Sequence, residues 1–152
     1  MILLLILGYF LLWTFLLYWV HRCAHKFKFL NNFHNAHHLY IKSNSTKWSW
    51  TNLFFYMDNR KSSFDVVLIE VIPTLVFCLI FDTWWIFIFY WIWAASLQEI
   101  IEHKSNLNLP IFTSGKWHMI HHYTPNKNYG LFIPLWDVIF GTYSPVPKLD
   151  NK

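Results

Sequence analysis

Nine histidines carry most of the chemistry that this sequence offers. Eight of them form three clusters and the ninth stands alone: His21 and His25; His34, His37 and His38; His118, His121 and His122; and His103. Side chains three and four residues apart share one face of a helix, so each cluster can direct two or three imidazoles at one point. Neutral imidazole nitrogens bind zinc and iron at pH 7, and the spacing therefore predicts a metal site.

The number of histidines indicates more than one metal ion. Nine imidazoles are too many for one tetrahedral zinc ion, and they suit two ions with about four or five nitrogens each. A single pair four residues apart is common in helices, but two HxxHH clusters together with one HxxxH cluster are hard to produce by chance. A surface pH sensor and a metal-storage site are the alternatives that the spacing leaves open.

Other chemistries lack the residues that they need. The sequence contains no GxGxxG motif, no phosphate-binding P-loop, no GxSxG motif and no CxxC pair, so no nucleotide or flavin site is indicated. Its two cysteines are too few for a disulfide scaffold or a cysteine-based zinc finger. The net charge of +4 comes without a basic recognition helix or an RNP-like aromatic motif, so we expect no nucleic-acid partner.

The elements that would position the histidines are apolar helices. Hydrophobic residues make up 55% of the chain and charged residues only 13%. Residues 1–20 contain no charged side chain, and at about 1.5 Å per residue they give roughly 30 Å, one hydrocarbon thickness. A cleaved signal peptide is the alternative, but it fits poorly because no Lys or Arg precedes the apolar run.

A second apolar region in the middle of the chain is long enough for two more helices. Asp82 interrupts this region, which predicts a hairpin with helices at 64–81 and 84–103. The predicted fold class is therefore an all-α integral membrane helical bundle, with about three transmembrane helices in a single domain, 1–152. Two buried helices of a soluble protein are the alternative, but a soluble domain of this size could not cover three such segments.

The positive charges predict the orientation of the bundle. All twelve Lys and Arg residues lie in 21–61 or 103–152. One span precedes the first of these segments and a hairpin separates the two, so both lie on one side, which the positive-inside rule makes cytoplasmic. We therefore expect a cytoplasmic, helical, histidine-rich cap formed by 21–62 and 104–152.

The order of the histidine clusters resembles that of the fatty acid hydroxylase/sterol desaturase superfamily of membrane di-iron oxygenases. The most specific part of the resemblance is the C-terminal stretch: Trp117–His122, Asn128-Tyr129-Gly130, Leu135-Trp136-Asp137 and Phe140-Gly141-Thr142-Tyr143. Glu102-His103 with Ser105-Asn106 is also similar to the family's pattern. Many members are longer, with extra spans before the first cluster, which leaves open an incomplete substrate tunnel that a second copy in a homo-oligomer would finish.

The resemblance implies a non-haem di-iron centre that uses O2 to hydroxylate or desaturate a membrane lipid, such as a sterol or a fatty acyl chain. All nine histidines match the family's positions, so it implies that they are the metal ligands, with zinc as the alternative metal in purified protein. No haem or flavin motif is present, so the electrons would come from a separate donor similar to cytochrome b5 or a ferredoxin. The alternatives are a non-catalytic metal-binding membrane protein and, last, a metal transporter, whose ligands would lie within the spans.

Four polar residues are candidates for orienting the histidines: Glu99, Glu102, Asn128 and Asp137. Metal-bound imidazoles usually donate their second N–H to a carboxylate or a carbonyl. Solvated charges at a helix end are the alternative for Glu99 and Glu102, and a turn that stabilises the fold is the alternative for Asp137. Glu70 lies inside a predicted span, where a carboxylate is either functional or shallow and interfacial.

Overall fold

The computed structural model of the chain is all-helical, as the sequence predicts. It describes residues 1–44, 47–57, 59–104, 106, 107, 109 and 112–145, without the side chains of Leu97, Glu99 and Ile100, and this part of the chain contains no strand. The helices are α1, Ile2–Ala24; α2, Lys28–Ser43; α3, Arg60–Phe81; α4, Trp84–Ile92 continued by Trp93–Glu102; α5, Lys116–Tyr123; and α6, Leu135–Ile139. A short 3-10 helix, Trp50–Phe54, precedes α3.

Two of the described helices, α1 and α3, are long and apolar enough to cross a membrane. Compared with the predicted limits of 1–20 and 64–81, α1 ends a few residues later and α3 begins a few residues earlier. The third predicted span, 84–103, is helical, but its apolar part is limited to Trp84–Ser96, which at about 1.5 Å per residue gives roughly 20 Å. The apolar part of α4 is therefore shorter than the predicted third span.

The hairpin between α3 and α4 turns where the sequence predicts. Asp82 ends α3 with a left-handed backbone (φ 51°), and its N–H donates to the carbonyl of Cys78. Trp84 and Trp85 follow as exposed side chains at the start of α4. The hairpin thus places the C-terminal end of α4 and the N-terminal end of α3 together at one end of the bundle, which we call the histidine end.

Both arms of this hairpin contain a π-helical segment near the histidine end. The segment in α3 is Val67–Val71, and the segment in α4 is Trp93–Glu102. Pro73, which has no N–H to donate to a carbonyl one turn earlier, lies two residues after the end of the first segment. Wider turns of this kind are frequent at functional sites, and here they carry the buried polar residues Glu70 and Gln98.

Aromatic packing holds the C-terminal part of the chain against α1. Trp13 is fully buried, packs on Phe132 with ring centroids 4.7 Å apart, and donates a hydrogen bond to Thr74 of α3 (3.0 Å). The next residue of α1, Thr14, accepts a hydrogen bond from Trp136 of α6 (3.1 Å). These contacts fix the segment after α5 beside α1, and α5 is thereby held at the histidine end.

Candidate metal centre

The structure brings all nine histidines together at the histidine end. One ring nitrogen of each lies within 4.8 Å of the others in its group. The five-histidine group contains His21, His25, His34, His38 and His121, and the four-histidine group contains His37, His103, His118 and His122. Only His25 and His103 are half-buried, and the other seven are buried.

Each HxxHH cluster supplies both groups. On α2, His34 and His38 are one turn apart and enter the five-histidine group, whereas His37 points into the four-histidine group. On α5, His121 enters the first group, and His118 and His122 enter the second. Neighbouring residues of a helix point about 100° apart. Each of the two helices can therefore contribute histidines to both groups.

The five-histidine group has the spacing of ligands around one ion. The Nε2 atom of His34 lies 3.0 Å from that of His21, 2.9 Å from that of His25 and 3.0 Å from that of His38. Two nitrogens that each lie about 2.1 Å from a metal ion, at right angles to one another, are about 3 Å apart. These residues therefore fit a transition-metal ion with imidazole ligands.

The outer nitrogens of this group are held by acceptors. The Nδ1 atoms of His21 and His121 each lie 2.7 Å from a backbone carbonyl, that of Tyr129 and that of Lys127 respectively. The Nδ1 atom of His34 lies 3.0 Å from the carboxylate of Asp65. A carbonyl oxygen can only accept, so Nδ1 carries the proton in His21 and His121, and the Nε2 lone pair is directed into the group.

The four-histidine group is held differently. The Nε2 atoms of His118 and His122 are 2.9 Å apart, and the ring of His103 packs 5.0 Å from each of these rings. Within the described residues, the Nδ1 atoms of His37, His118 and His122 have no hydrogen-bond partner. A carboxylate oxygen of Glu102 lies 3.8 Å from His118 Nδ1.

Burial keeps these imidazoles neutral at physiological pH. It lowers the pKa of His25 and of His37 from 6.5 to about 4. It lowers the pKa of His38 to about 2, with a smaller contribution from neighbouring imidazoles, and the pKa of His122 also lies well below 6.5. Neutral rings offer a lone pair to a cation at pH 7, which a protonated ring cannot do.

The residues predicted to orient the histidines act at different distances from them. Glu102 is buried beside His118, as described above. Asn128 makes its hydrogen bonds to the backbone of Trp117 and Ser144. The side chain of Glu99 lies outside the described residues, as do Ser105 and the tail from 146 onward.

Asp137 braces the loop that holds His21. Its carboxylate accepts hydrogen bonds from the N–H groups of Tyr129 and Gly130, both at 2.8 Å, while the Tyr129 carbonyl faces His21. A Cβ atom on Gly130 would lie 2.5 Å from the carbonyl of Ile133 and 2.9 Å from the Asp137 carboxylate. The loop therefore needs glycine at this point, because a larger residue would displace it from the histidines.

Sequence reasoning missed Asp65 and Gln98. Asp65 follows His34 by 31 residues and meets it only in the folded chain. The signal that could have found it is a carboxylate at the start of an apolar helix, since such a group is costly unless it is paired. With Glu70, these residues line a cavity of about 10 Å³ among imidazoles of both groups, and Gln98 donates a hydrogen bond to Glu70 (3.2 Å).

The chain is similar to known proteins along most of its length. Residues 6–142 match the family model described as fatty acid hydroxylase. The Delta(7)-sterol 5(6)-desaturase erg3B of Aspergillus fumigatus is 30% identical over 134 residues, which cover 85% of this chain and 36% of that protein. The Delta(7)-sterol-C5(6)-desaturase of Nicotiana tabacum is 29% identical over 150 residues, which cover 95% of this chain and 51% of that protein.

An alkylglycerol monooxygenase of Danio rerio is also similar, with 30% identity over 135 residues, 84% of this chain and 28% of that protein. The chain thus spans between 28% and 51% of the length of these three relatives. No solved structure matches the chain.

Proposed function

The chain belongs to the fatty acid hydroxylase family, and from this premise we propose that it is a membrane enzyme that hydroxylates or desaturates a lipid with O2 and external electrons. The observation that carries the proposal is the convergence of nine buried or half-buried imidazoles into one group of five and one group of four. Imidazole ligands suit iron, and iron with such ligands can activate O2. A pair of iron ions, one in each group, would supply the oxidising power of the reaction.

The chain's own residues hold the ligands and exclude water. Asp65, Tyr129 and Lys127 orient three imidazoles of the five-histidine group through their outer nitrogens. The cavity among the imidazoles of both groups, which we call the inner cavity, is lined in part by the apolar residues Val66, Ile69 and Leu131. A dry, closed site protects a strong oxidant from side reactions with solvent.

The names of the relatives support a lipid as the substrate. Two are sterol desaturases and one is an alkylglycerol monooxygenase, so all three act on amphiphilic lipids. Such a substrate partitions into the bilayer and would approach the centre from the side of the apolar helices. The sequence has no haem or flavin motif, and a separate donor such as cytochrome b5 or a ferredoxin would supply the electrons.

The proposed orientation places the histidine end in the cytoplasm. Every Lys and Arg of the chain lies in 21–61 or 103–152, and both segments flank the histidines. The carboxylates of Asp65, Glu102 and Asp137 are buried there and add no exposed negative charge. The excess of positive charge supports a cytoplasmic position for this end.

The small size of the inner cavity favours a second candidate, a metal-binding membrane protein without catalysis. A cavity of about 10 Å³ holds at most one water molecule. A lipid carbon would reach the metal ions only after side chains move. Under this second candidate the metals bind, but no lipid product forms.

Lipid mass spectrometry separates the two candidates. The chain is expressed with an electron donor, and the lipids of the cells are searched for species that gained one oxygen atom or lost two hydrogen atoms. We expect such species with the native chain and none with His37→Ala or His121→Ala. An unchanged lipid profile from metal-loaded protein with a competent donor would leave the non-catalytic candidate standing.

A further inference from the structure

A second pocket lies outside the metal centre, between the 3-10 helix and the start of α3. Its volume is about 240 Å³, and it is lined mainly by aromatic residues with one cation: Phe54, Phe55, Tyr56, Phe64, Val67 and Arg60. We call this the outer pocket. Phe54 and Phe64 are 81% and 51% exposed, so its mouth is open on the outside of the bundle.

The outer pocket lies beside the apolar part of α4. Trp48 donates a hydrogen bond to the carbonyl of Ala95 (2.8 Å), and Trp91 donates one to the carbonyl of Leu53 (3.0 Å). These hydrogen bonds hold the 3-10 helix against the apolar part of α4, which would lie in the bilayer. A hydrocarbon chain in the bilayer therefore meets the mouth of the pocket directly.

Only a thin wall separates the outer pocket from the cavity of the metal centre. Phe55 stacks on the buried Tyr90, with centroids 5.9 Å apart and an angle of 11° between the rings. Tyr90 in turn lies against Glu70, which lines the inner cavity. On α3, Val67 faces the outer pocket while the preceding residue, Val66, faces the inner cavity.

The backbone of Phe55 is in an unusual conformation. It ends the 3-10 helix with φ 57° and ψ 21°, a left-handed geometry that a phenylalanine rarely adopts. The N–H of Phe55 donates a hydrogen bond to the carbonyl of Asn52 (3.0 Å), which holds this residue at the end of the helix. Backbone strain of this kind clusters at ligand clamps, where the surrounding structure enforces it.

We propose that the outer pocket is the site where the lipid substrate enters, with Phe55 closing the path to the metal centre. The inference rests on the proposed function and adds the place and the polarity of the ligand. The hydrocarbon part of an amphiphilic lipid packs among the phenyl rings, and its hydroxyl or anionic head binds Arg60 at the rim. No described carboxylate lines this pocket, so nothing there opposes a negative head group.

A second apolar groove provides the internal comparison. It lies between α1 and α3, has a volume of about 490 Å³, and is lined by apolar and aromatic side chains such as Leu16, Val76 and Ile80. No charged residue and no histidine of the metal centre lines it. Bilayer lipid would fill this groove without any relation to the reaction.

Photolabelling tests the assignment without turnover. Zinc-loaded protein in detergent is irradiated with a long-chain fatty acid that carries a mid-chain diazirine, and the labelled residues are mapped by mass spectrometry. We expect labels on Phe54, Phe64 or Val67. Phe55→Trp should reduce this labelling by roughly tenfold, because the larger ring fills the pocket.

The matched control is Val76→Trp, which fills the other groove and should leave labelling at Phe64 unchanged. Arg60→Gln should weaken labelling by the fatty acid more than labelling by the corresponding fatty alcohol. Metal content and thermal unfolding check that each variant is folded, and Phe64→Trp replaces Phe55→Trp if that variant fails to fold. Labels confined to the α1–α3 groove, or labelling that Phe55→Trp and Phe64→Trp do not change, would overturn the proposal.

Labelling and lipid products together distinguish a failure of the proposed access site from a failure of the proposed enzyme activity. Labelling in the outer pocket together with an absence of oxygen-dependent lipid products would contradict the enzyme and keep the binding site. Lipid products whose formation does not respond to Phe55→Trp would keep the enzyme and contradict the access site.

Discussion

The five-histidine and four-histidine groups share α2 and α5, but they are held differently. In the first group, two backbone carbonyls and the carboxylate of Asp65 fix the outer nitrogens of three of the five rings, whereas the Nδ1 atom of His38 has no hydrogen-bond partner within the described residues. In the second group, the outer nitrogens of three rings lack such partners within the described part of the chain, and Glu102 approaches only one of them, at 3.8 Å. Acceptors on the outer nitrogen orient a ligand and raise its basicity.

The difference indicates a division of work between the two metal positions. A preorganised set of five imidazoles binds tightly and leaves few coordination positions open. A set of four, less firmly held, leaves room for ligands that are not part of the protein. We therefore expect the five-histidine group to fill first, and the four-histidine group to be the position that reacts with small molecules.

The largest effect should come from removing the ligand at the centre of the tighter group. The Nε2 atom of His34 lies within 3.0 Å of those of three other histidines. We expect His34→Ala to abolish binding at the five-histidine group and to reduce lipid product to background. His122→Ala should remove only the second metal, and elemental analysis of both purified variants measures the difference. The loss of both metals from either variant would contradict two separable positions.

A second comparison uses the carboxylate beside each group. Asp65→Asn should weaken metal binding at the five-histidine group by about 10- to 100-fold, because the amide no longer holds His34 as a charged acceptor. Glu102→Gln should weaken binding at the other group by a smaller factor, since its oxygen is 3.8 Å from His118. Competition with a chelator measures both affinities. A larger loss in Glu102→Gln would reverse the proposed order of the two groups.

The loop that carries the Tyr129 carbonyl gives an indirect test. An added methyl group in Gly130→Ala would meet the carbonyl of Ile133 at 2.5 Å, so the loop must move away from His21. We expect a destabilisation of about 1–3 kcal/mol and a weaker first metal site. Gly8→Ala is the control, because nothing lies within 4 Å of its added Cβ atom. Thermal unfolding and metal titration report on both variants, and equal behaviour would contradict the role of the loop.

Acid should destabilise the metal-free protein. The pKa of His25 and that of His37 are about 4 in the folded chain and 6.5 when burial is removed. The unfolded chain therefore takes up protons first as the pH falls, and the stability present above 6.5 is lost between 6.5 and about 4. Thermal unfolding of metal-free protein should show a lower midpoint at about pH 5 than at about pH 7.5. A midpoint that rises with acidification would contradict buried neutral imidazoles.

Much of the fold could be predicted because its signals are local. The uncharged run at the start of α1 and the break at Asp82 can both be recognised from a few neighbouring residues. The packing of the 3-10 helix on α4 could not be predicted, since it depends on hydrogen bonds between residues that are 38 and 47 positions apart. The predicted third span extended to 103, but the apolar part of α4 ends at Ser96, before the buried polar residues Gln98 and Glu102.

The site could be predicted as two metal positions with about four or five imidazoles each, but the sequence does not tell which histidine belongs to which position. His37 and His38 are adjacent in sequence, yet they enter different groups because one helical step turns the side chain by about 100°. Asp65 carries no sign in the sequence of the histidine that it meets. The assignment of each histidine to one of the two groups depends on how α2 and α5 face each other. That arrangement is set by tertiary packing.

A metal titration tests the central claim most directly. Metal-free protein, prepared without oxygen, is titrated with iron(II), and the bound metal is measured for the native chain and for His34→Ala and His122→Ala. We predict about two ions per native chain, bound in two steps of different affinity, with each variant losing a different step. Folded native protein that binds well below one ion per chain, or that binds in one step which both variants remove together, would contradict a two-metal centre divided between five and four histidines.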